Sequence, residues 1–337
     1  MTTSSAKSSS PELVSRFRKI APAVVLFFCS PYVAEYLLGN LAIDALGALV
    51  ALAPLYGGGA LLVREISRRM GGGWPTVILL ALAYGLIEEG LVIQTLFNPS
   101  YLGLHLLAEA AIPPLGIGGW WTLFVLTLHT VWSVTVPIAV VEALFASRAR
   151  TPWLGNFGLV VTTLLFLAGA AMVYFGTQRT EKFMASPLQL MSAAVAVVVV
   201  VVASILVRRN SVPQTGRAPH PIVVGLCTFG LCLAFMSLHA VVRGWPLVGV
   251  YLVIYLLGAG LLVGWSRRDT WTPLHTLAAA GGAMITYACT AFPQEPVFGS
   301  KGTVDLIGNI VFALIAVILL VFAVKAVRRI ENVSTPL

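Results

Sequence analysis

Two glutamates and one histidine are the residues of this sequence best placed to do chemistry. Glu88 and Glu89 stand side by side in "AYGLIEEGLVIQTLFNP", an apolar run from Ala83 to Pro99, and His129 stands in the next apolar run. A charge in hydrocarbon costs at least about 2.5–3.5 kcal/mol even on insertion scales, and a neighbouring like charge adds repulsion. Such a pair persists if one proton is shared, if a cation sits between the carboxylates, or if water reaches them. Adjacent helical residues point about 100° apart, so one glutamate can bind a ligand while the other works through water or supports a neighbouring helix. Glu35 and Asp44, in the first two apolar runs, are further carboxylates within plausible reach.

The elements that must position these groups are membrane spans. Hydrophobic residues make up 58% of the 337 and charged residues only 10%, against about 25% charged in soluble domains. An all-α, polytopic transmembrane bundle follows, each span needing roughly 20 apolar residues. Ten spans are expected, at 20–39, 41–63, 75–97, 120–146, 153–176, 187–207, 221–241, 245–266, 273–292 and 304–326. Pro75, Pro187, Pro221, Pro246 and Pro273 suit first helical turns. Trp74, Trp120, Trp121, Trp153, Trp245 and Trp271 lie near span ends, where indoles favour the interface. With the N-terminus inside, 17 of the 21 basic residues fall on the inner side; Arg179, Lys182, Arg243 and Lys301 fall outside. This positive-inside split predicts cytoplasmic N- and C-termini, and fits a bacterial plasma membrane. The same flanking pattern assigns the formal charge of +8 to orientation and lipid headgroups, not to nucleic acid.

Span three then runs outward from Pro75, with Glu88 about 20 Å in, and span four inward from Trp120, with His129 about 14 Å in. Glu89 and His129 therefore share a depth in the outer half. Intramembrane carboxylates (Glu35, Asp44, Glu88, Glu89, Glu142) and mid-span prolines (Pro31, Pro54, Pro137) gather in the first four spans. The chain thus divides into a disordered basic tail (1–19), a working core (20–150), a scaffold of six spans (151–330) and a C-terminal tail (331–337). Glu142 is expected to snorkel or to pair with Arg148 or Arg150. His105, His239 and His275 read as interfacial, Gln94 as facing away from Glu89, and Asn98-Pro99 as a helix end. The loop 98–119 is apolar enough for a short helix lying on the membrane, ended by Pro113-Pro114. The four cysteines form no CxxC pair, and read as packing residues.

An intramembrane Glu-Glu followed by a His on the next span resembles the CAAX-protease and bacteriocin-processing family of intramembrane metalloproteases. That family carries E-E-x-x-x-R, F-x-x-x-H and a third motif with His and Asn or Asp. Glu88 and Glu89 match the first two positions; Ile93 stands where the Arg would be, Phe124 lies five rather than four residues before His129, and no third motif is found. The resemblance implies Glu88 and Glu89 as catalytic groups that activate water. It implies His129 as a ligand of a divalent metal such as zinc, and Glu88 or Glu35 is available to complete the set. The substrate would be a membrane-embedded peptide or lipid-like molecule. Two other readings stay open: a proton- or cation-coupled transporter, and a non-catalytic assembly or lipid-binding protein.

Overall fold

In hydrocarbon every backbone N–H and C=O must be satisfied within the chain, which leaves helices as the economical solution for these apolar runs. The computed structural model describes residues 11–207 and 214–334. Lys7, Arg208 and Arg209 of the orientation count, and most of the expected tail, lie outside them. The helices are α1 (Pro11–Pro31), α2 (Gly47–Arg69), α3 (Trp74–Leu86), α4 (Gly119–Thr127), α5 (Val136–Leu144), α6 (Asn156–Glu181), α7 (Pro187–Leu206), α8 (Pro221–Ser237), α9 (Gly244–Ser266), α10 (Pro273–Thr290) and α11 (Thr303–Ser334). Since α4 and α5 are one rod joined by a wider turn, ten rods stand where ten spans are expected. Among the described residues, eight are long and apolar enough to cross a membrane. The other two are α1, which contains Pro22 and Pro31, and α10, which is only 18 residues long and includes Gly281-Gly282 and several threonines.

Three of these rods change pitch. Residues Tyr32–Tyr36 after α1, Ile87–Val92 after α3 and Leu128–Thr135 between α4 and α5 are π-helical. Such segments are rare and are found frequently at functional sites. They hold Glu35, Glu88 with Glu89, and His129 respectively. The third run, expected to be helical to residue 97, stops sooner because Gln94 adopts a left-handed conformation (φ 65°). Helix α1 takes in residues 11–19 that the sequence assigns to the tail.

Three consecutive glycines in α2 let the core close. A Cβ on Gly57 would lie 1.9 Å from the Phe27 carbonyl oxygen of α1; on Gly59, 2.2 Å from the Tyr84 ring of α3; on Gly58, 3.3 Å from Phe166 of α6. Successive positions 100° apart thus admit three different neighbours. Trp132 is fully buried, stacks on Tyr287 of α10 at 4.4 Å and 2°, and donates its indole N–H to the Ala283 carbonyl at 2.7 Å. So α10, from the expected scaffold half, belongs to the same core as the first four spans. In contrast α6 and the valine-rich α7 turn most of their surface outward; Phe157 is 82% exposed.

Further local expectations are corrected. Segment 98–119 is no membrane-surface helix. It contains one 3₁₀ turn (Tyr101–Gly103) and a two-stranded hairpin, β1 (Ala111–Ile112) and β2 (Ile117–Gly118), with Ala111 opposite Gly118. Pro113-Pro114 sits at its tip, where a missing N–H costs least. Glu142 does not snorkel. It is buried and accepts from Arg64 Nε (3.1 Å), Arg68 Nε (2.7 Å) and Arg68 Nη2 (2.6 Å). Arg64, fully buried, also donates to Glu65 at 2.7 Å and lies over the Trp153 ring at 3.4 Å. The span ending expected at residue 63 comes instead at Arg69, because these charges neutralise one another inside the bundle. Trp120 and Trp153, at the rod ends where they are expected, are buried within the protein.

Candidate functional site

The π-helical turns of α3 and of the α4–α5 rod face each other and bring Glu88, Glu89 and His129 together. One ligand atom from each of the three lies within 4.8 Å of the others, and all three residues are buried. Their approach depends on Gly85, where a Cβ would sit 3.1 Å from the His129 Cβ. His129 Nε2 is 2.7 Å from Glu89 Oε1, and His129 Nδ1 is 3.2 Å from the Ser133 hydroxyl. With Glu89 accepting, a ring proton sits on Nε2, and Nδ1 faces both the Ser133 hydroxyl and Glu88 Oε2.

The two glutamates differ sharply in their surroundings. Glu89 Oε2 accepts from the Thr95 hydroxyl, which in turn accepts from Trp121 Nε1 at 3.1 Å. Glu88 Oε2 pairs with His129 Nδ1 at 2.9 Å, and this close approach is its contact with the imidazole; neither Glu88 oxygen has a hydrogen bond of good geometry. The Tyr84 hydroxyl is also buried and unpartnered. Its ring and that of Tyr56 flank the imidazole, with centroids 6.2 and 6.1 Å away. Buried polar groups are nearly always hydrogen-bonded, so Glu88 and Tyr84, which face one another without closing a hydrogen bond of good geometry, keep acceptor and donor capacity for a ligand.

Other expected members stand apart. Glu35 accepts from Tyr56 at 2.5 Å and from Asn40 Nδ2 at 3.1 Å, and is not one of the three converging ligands. Its hydrogen-bond link toward the group runs through Tyr56. Asp44 is exposed and binds the Ser300 hydroxyl at 2.6 Å and its backbone N–H; these bonds hold its carboxyl below the usual aspartate range. Gln94 secures the broken end of α3: its Oε1 accepts from Ala185 N at 2.8 Å. His239 stacks on Trp120 at 4.0 Å and contacts Glu109 at 3.1 Å, while His275 caps α10 beside Thr272.

The sequence reading missed Tyr84, Thr95, Trp121 and Tyr56. Tyr84, four residues before Glu88, shares its helical face and was findable. Thr95, six residues after Glu89, reaches back only because Gln94 reverses the chain. The donor set fits a divalent cation: Glu88 and His129 Nδ1 offer an oxygen and a nitrogen donor, and Glu89 holds the imidazole from its other side, as carboxylates do beside metal-bound histidines. No curated protein and no solved structure matches the chain. Its residues 24–334 match an uncharacterized membrane protein family, and the chain belongs to that family.

Proposed function

We propose that the chain is an intramembrane metal-dependent hydrolase, its centre formed by Glu88, Glu89 and His129. The observation that carries this reading is the convergence of three buried ligand atoms around a carboxylate with no hydrogen-bond partner. A divalent cation held there would supply Lewis acidity, polarising a scissile carbonyl and lowering the pKa of a water. The protein side of the chemistry is proton handling and exclusion of bulk water. Glu88, with free lone pairs, is placed to accept the proton of an attacking water; Tyr84 is placed to donate a hydrogen bond to a developing oxyanion. The apolar wall of α6 and α7 suits a peptide or lipid-like substrate already in the membrane. The basic-residue asymmetry of the sequence supports a plasma-membrane location with the N-terminus inside.

Metal analysis of the purified protein tests this. Near-stoichiometric zinc or another divalent ion is expected in the wild type, with loss in His129→Ala and Glu88→Gln. A well-folded wild type that stays metal-free in zinc-containing buffer refutes it.

A second reading, proton- or cation-coupled transport, is favoured by one observation. From Tyr56, stacked on His129, polar contacts continue through Glu35 and Asn40 to Gln294, whose Nε2 donates to Asn40 at 2.8 Å. Under that reading Glu35→Gln abolishes pH-driven flux in liposomes while metal content stays at background.

A further inference from the structure

We infer that Thr95 and Trp121 are positioning residues, holding Glu89 as the carboxylate that orients His129 and leaving Glu88 and His129 Nδ1 as the pair that meets the ligand. The inference rests on the metal-site reading above and divides labour between two glutamates that the sequence makes equivalent.

Direction decides the argument. An indole N–H can only donate, and a hydroxyl has a single proton. With Trp121 Nε1 donating to Thr95 Oγ1 at 3.1 Å, the Thr95 proton is directed onto Glu89 Oε2. Glu89 Oε1 is then the oxygen left for His129, and it meets Nε2 at 2.7 Å. The relay therefore holds a proton on Nε2 and leaves Nδ1, on the Glu88 side, as the ring nitrogen for a ligand. Metal-ligating histidines are oriented in this way, one ring nitrogen on a carboxylate and the other on the ion, and loss of such outer partners costs 10–100-fold in metal affinity. Glu88 offers the complementary picture, fully buried with both oxygens unclaimed and one of them 2.9 Å from Nδ1. Thr95 owes its place to the left-handed Gln94 (φ 65°), so the break in α3 has a function: it folds a hydroxyl back onto the helix it has just left.

The test uses full-length protein in nanodiscs with ¹⁵N-labelled histidine side chains, in the wild type, Thr95→Val, Thr95→Ser and Trp121→Phe, with His129→Ala to assign the signal. Imidazole ¹⁵N shifts read the tautomer, and competition with a chelating dye reads zinc affinity. The expected result is a single Nε2–H tautomer in the wild type, mixed tautomers and zinc binding 10–100-fold weaker in Thr95→Val, and restoration of both in Thr95→Ser. Trp121→Phe lies between. An unchanged tautomer in both Thr95→Val and Trp121→Phe overturns the inference, and so does a Thr95→Ser protein that behaves like Thr95→Val. If Thr95→Val does not fold, Trp121→Phe carries the same comparison. A tautomer that shifts in a protein unable to bind zinc supports the relay and removes the metal reading. Zinc binding with an unmoved tautomer does the reverse.

Discussion

Replacing the two adjacent glutamates one at a time by methionine should change stability in opposite directions. In the metal-free protein Glu88 is buried with no hydrogen bond to either oxygen. A buried polar group left unsatisfied costs about 1–3 kcal/mol, more when charged, so Glu88→Met should stabilise by roughly that amount. Glu89→Met removes the acceptor for two donors, the Thr95 hydroxyl and His129 Nε2. Leaving both unpaired at about 1–3 kcal/mol each should cost roughly 2–6 kcal/mol. Two identical substitutions at neighbouring positions thus differ by several kcal/mol, with the less stable wild-type choice at Glu88 explained by function. The assay is denaturant or thermal unfolding in detergent with a chelator present, followed by helical circular dichroism. The reasoning fails if Glu88→Met destabilises the protein as much as Glu89→Met does.

Three further outcomes follow from the packing. Gly57→Ala places a methyl 1.9 Å from the Phe27 carbonyl, a backbone atom that cannot swing aside. It should cost about 1–3 kcal/mol or more in a melting comparison with Gly47→Ala, whose Cβ meets nothing within 4 Å. Glu142→Leu leaves Arg64 and Arg68 without their shared carboxylate in a buried setting and should cost about 3–5 kcal/mol, read by the same melting experiment. At the bundle end bearing the 98–118 loop, partial burial works against ionisation of Glu109, but Arg243, Gly244 N–H and His239 outweigh it and hold its carboxyl below the usual glutamate range. Its folded pKa being depressed, its contribution is present above the ordinary glutamate range and is lost as pH falls through the lower folded value. Protection of the amides of residues 98–118, corrected for the pH dependence of intrinsic exchange, should therefore fall on acidification in the wild type, and Glu109→Gln should remove that dependence.

The site was legible where its signal was local. Apolar runs bounded by proline and arginine give the rods, and counting residues from the two span ends puts Glu89 level with His129, as the structure has them. What escaped depends on the chain's path. A π-helical turn has no residue signature, yet three of them aim Glu35, the glutamate pair and His129. Thr95 lies off any helical face shared with Glu89 and arrives through one left-handed residue. Arg64 and Glu65 look like a membrane boundary because charge normally ends a span; here Glu142, 78 residues away from Arg64, makes their burial affordable. Glu35 is the converse case: its depth suggested a ligand, but Tyr56 and Asn40 claim its oxygens.

The central claim is that Glu88 and His129, with Glu89 orienting the imidazole, form a divalent-metal centre inside the bundle. X-ray absorption at the zinc edge of the purified, zinc-loaded protein tests it most directly. The account predicts a first shell of oxygen with one imidazole nitrogen at about 2.0–2.2 Å and no sulfur, with the imidazole signal gone in His129→Ala. A thiolate contribution at about 2.3 Å, or a spectrum unchanged in His129→Ala, would contradict it.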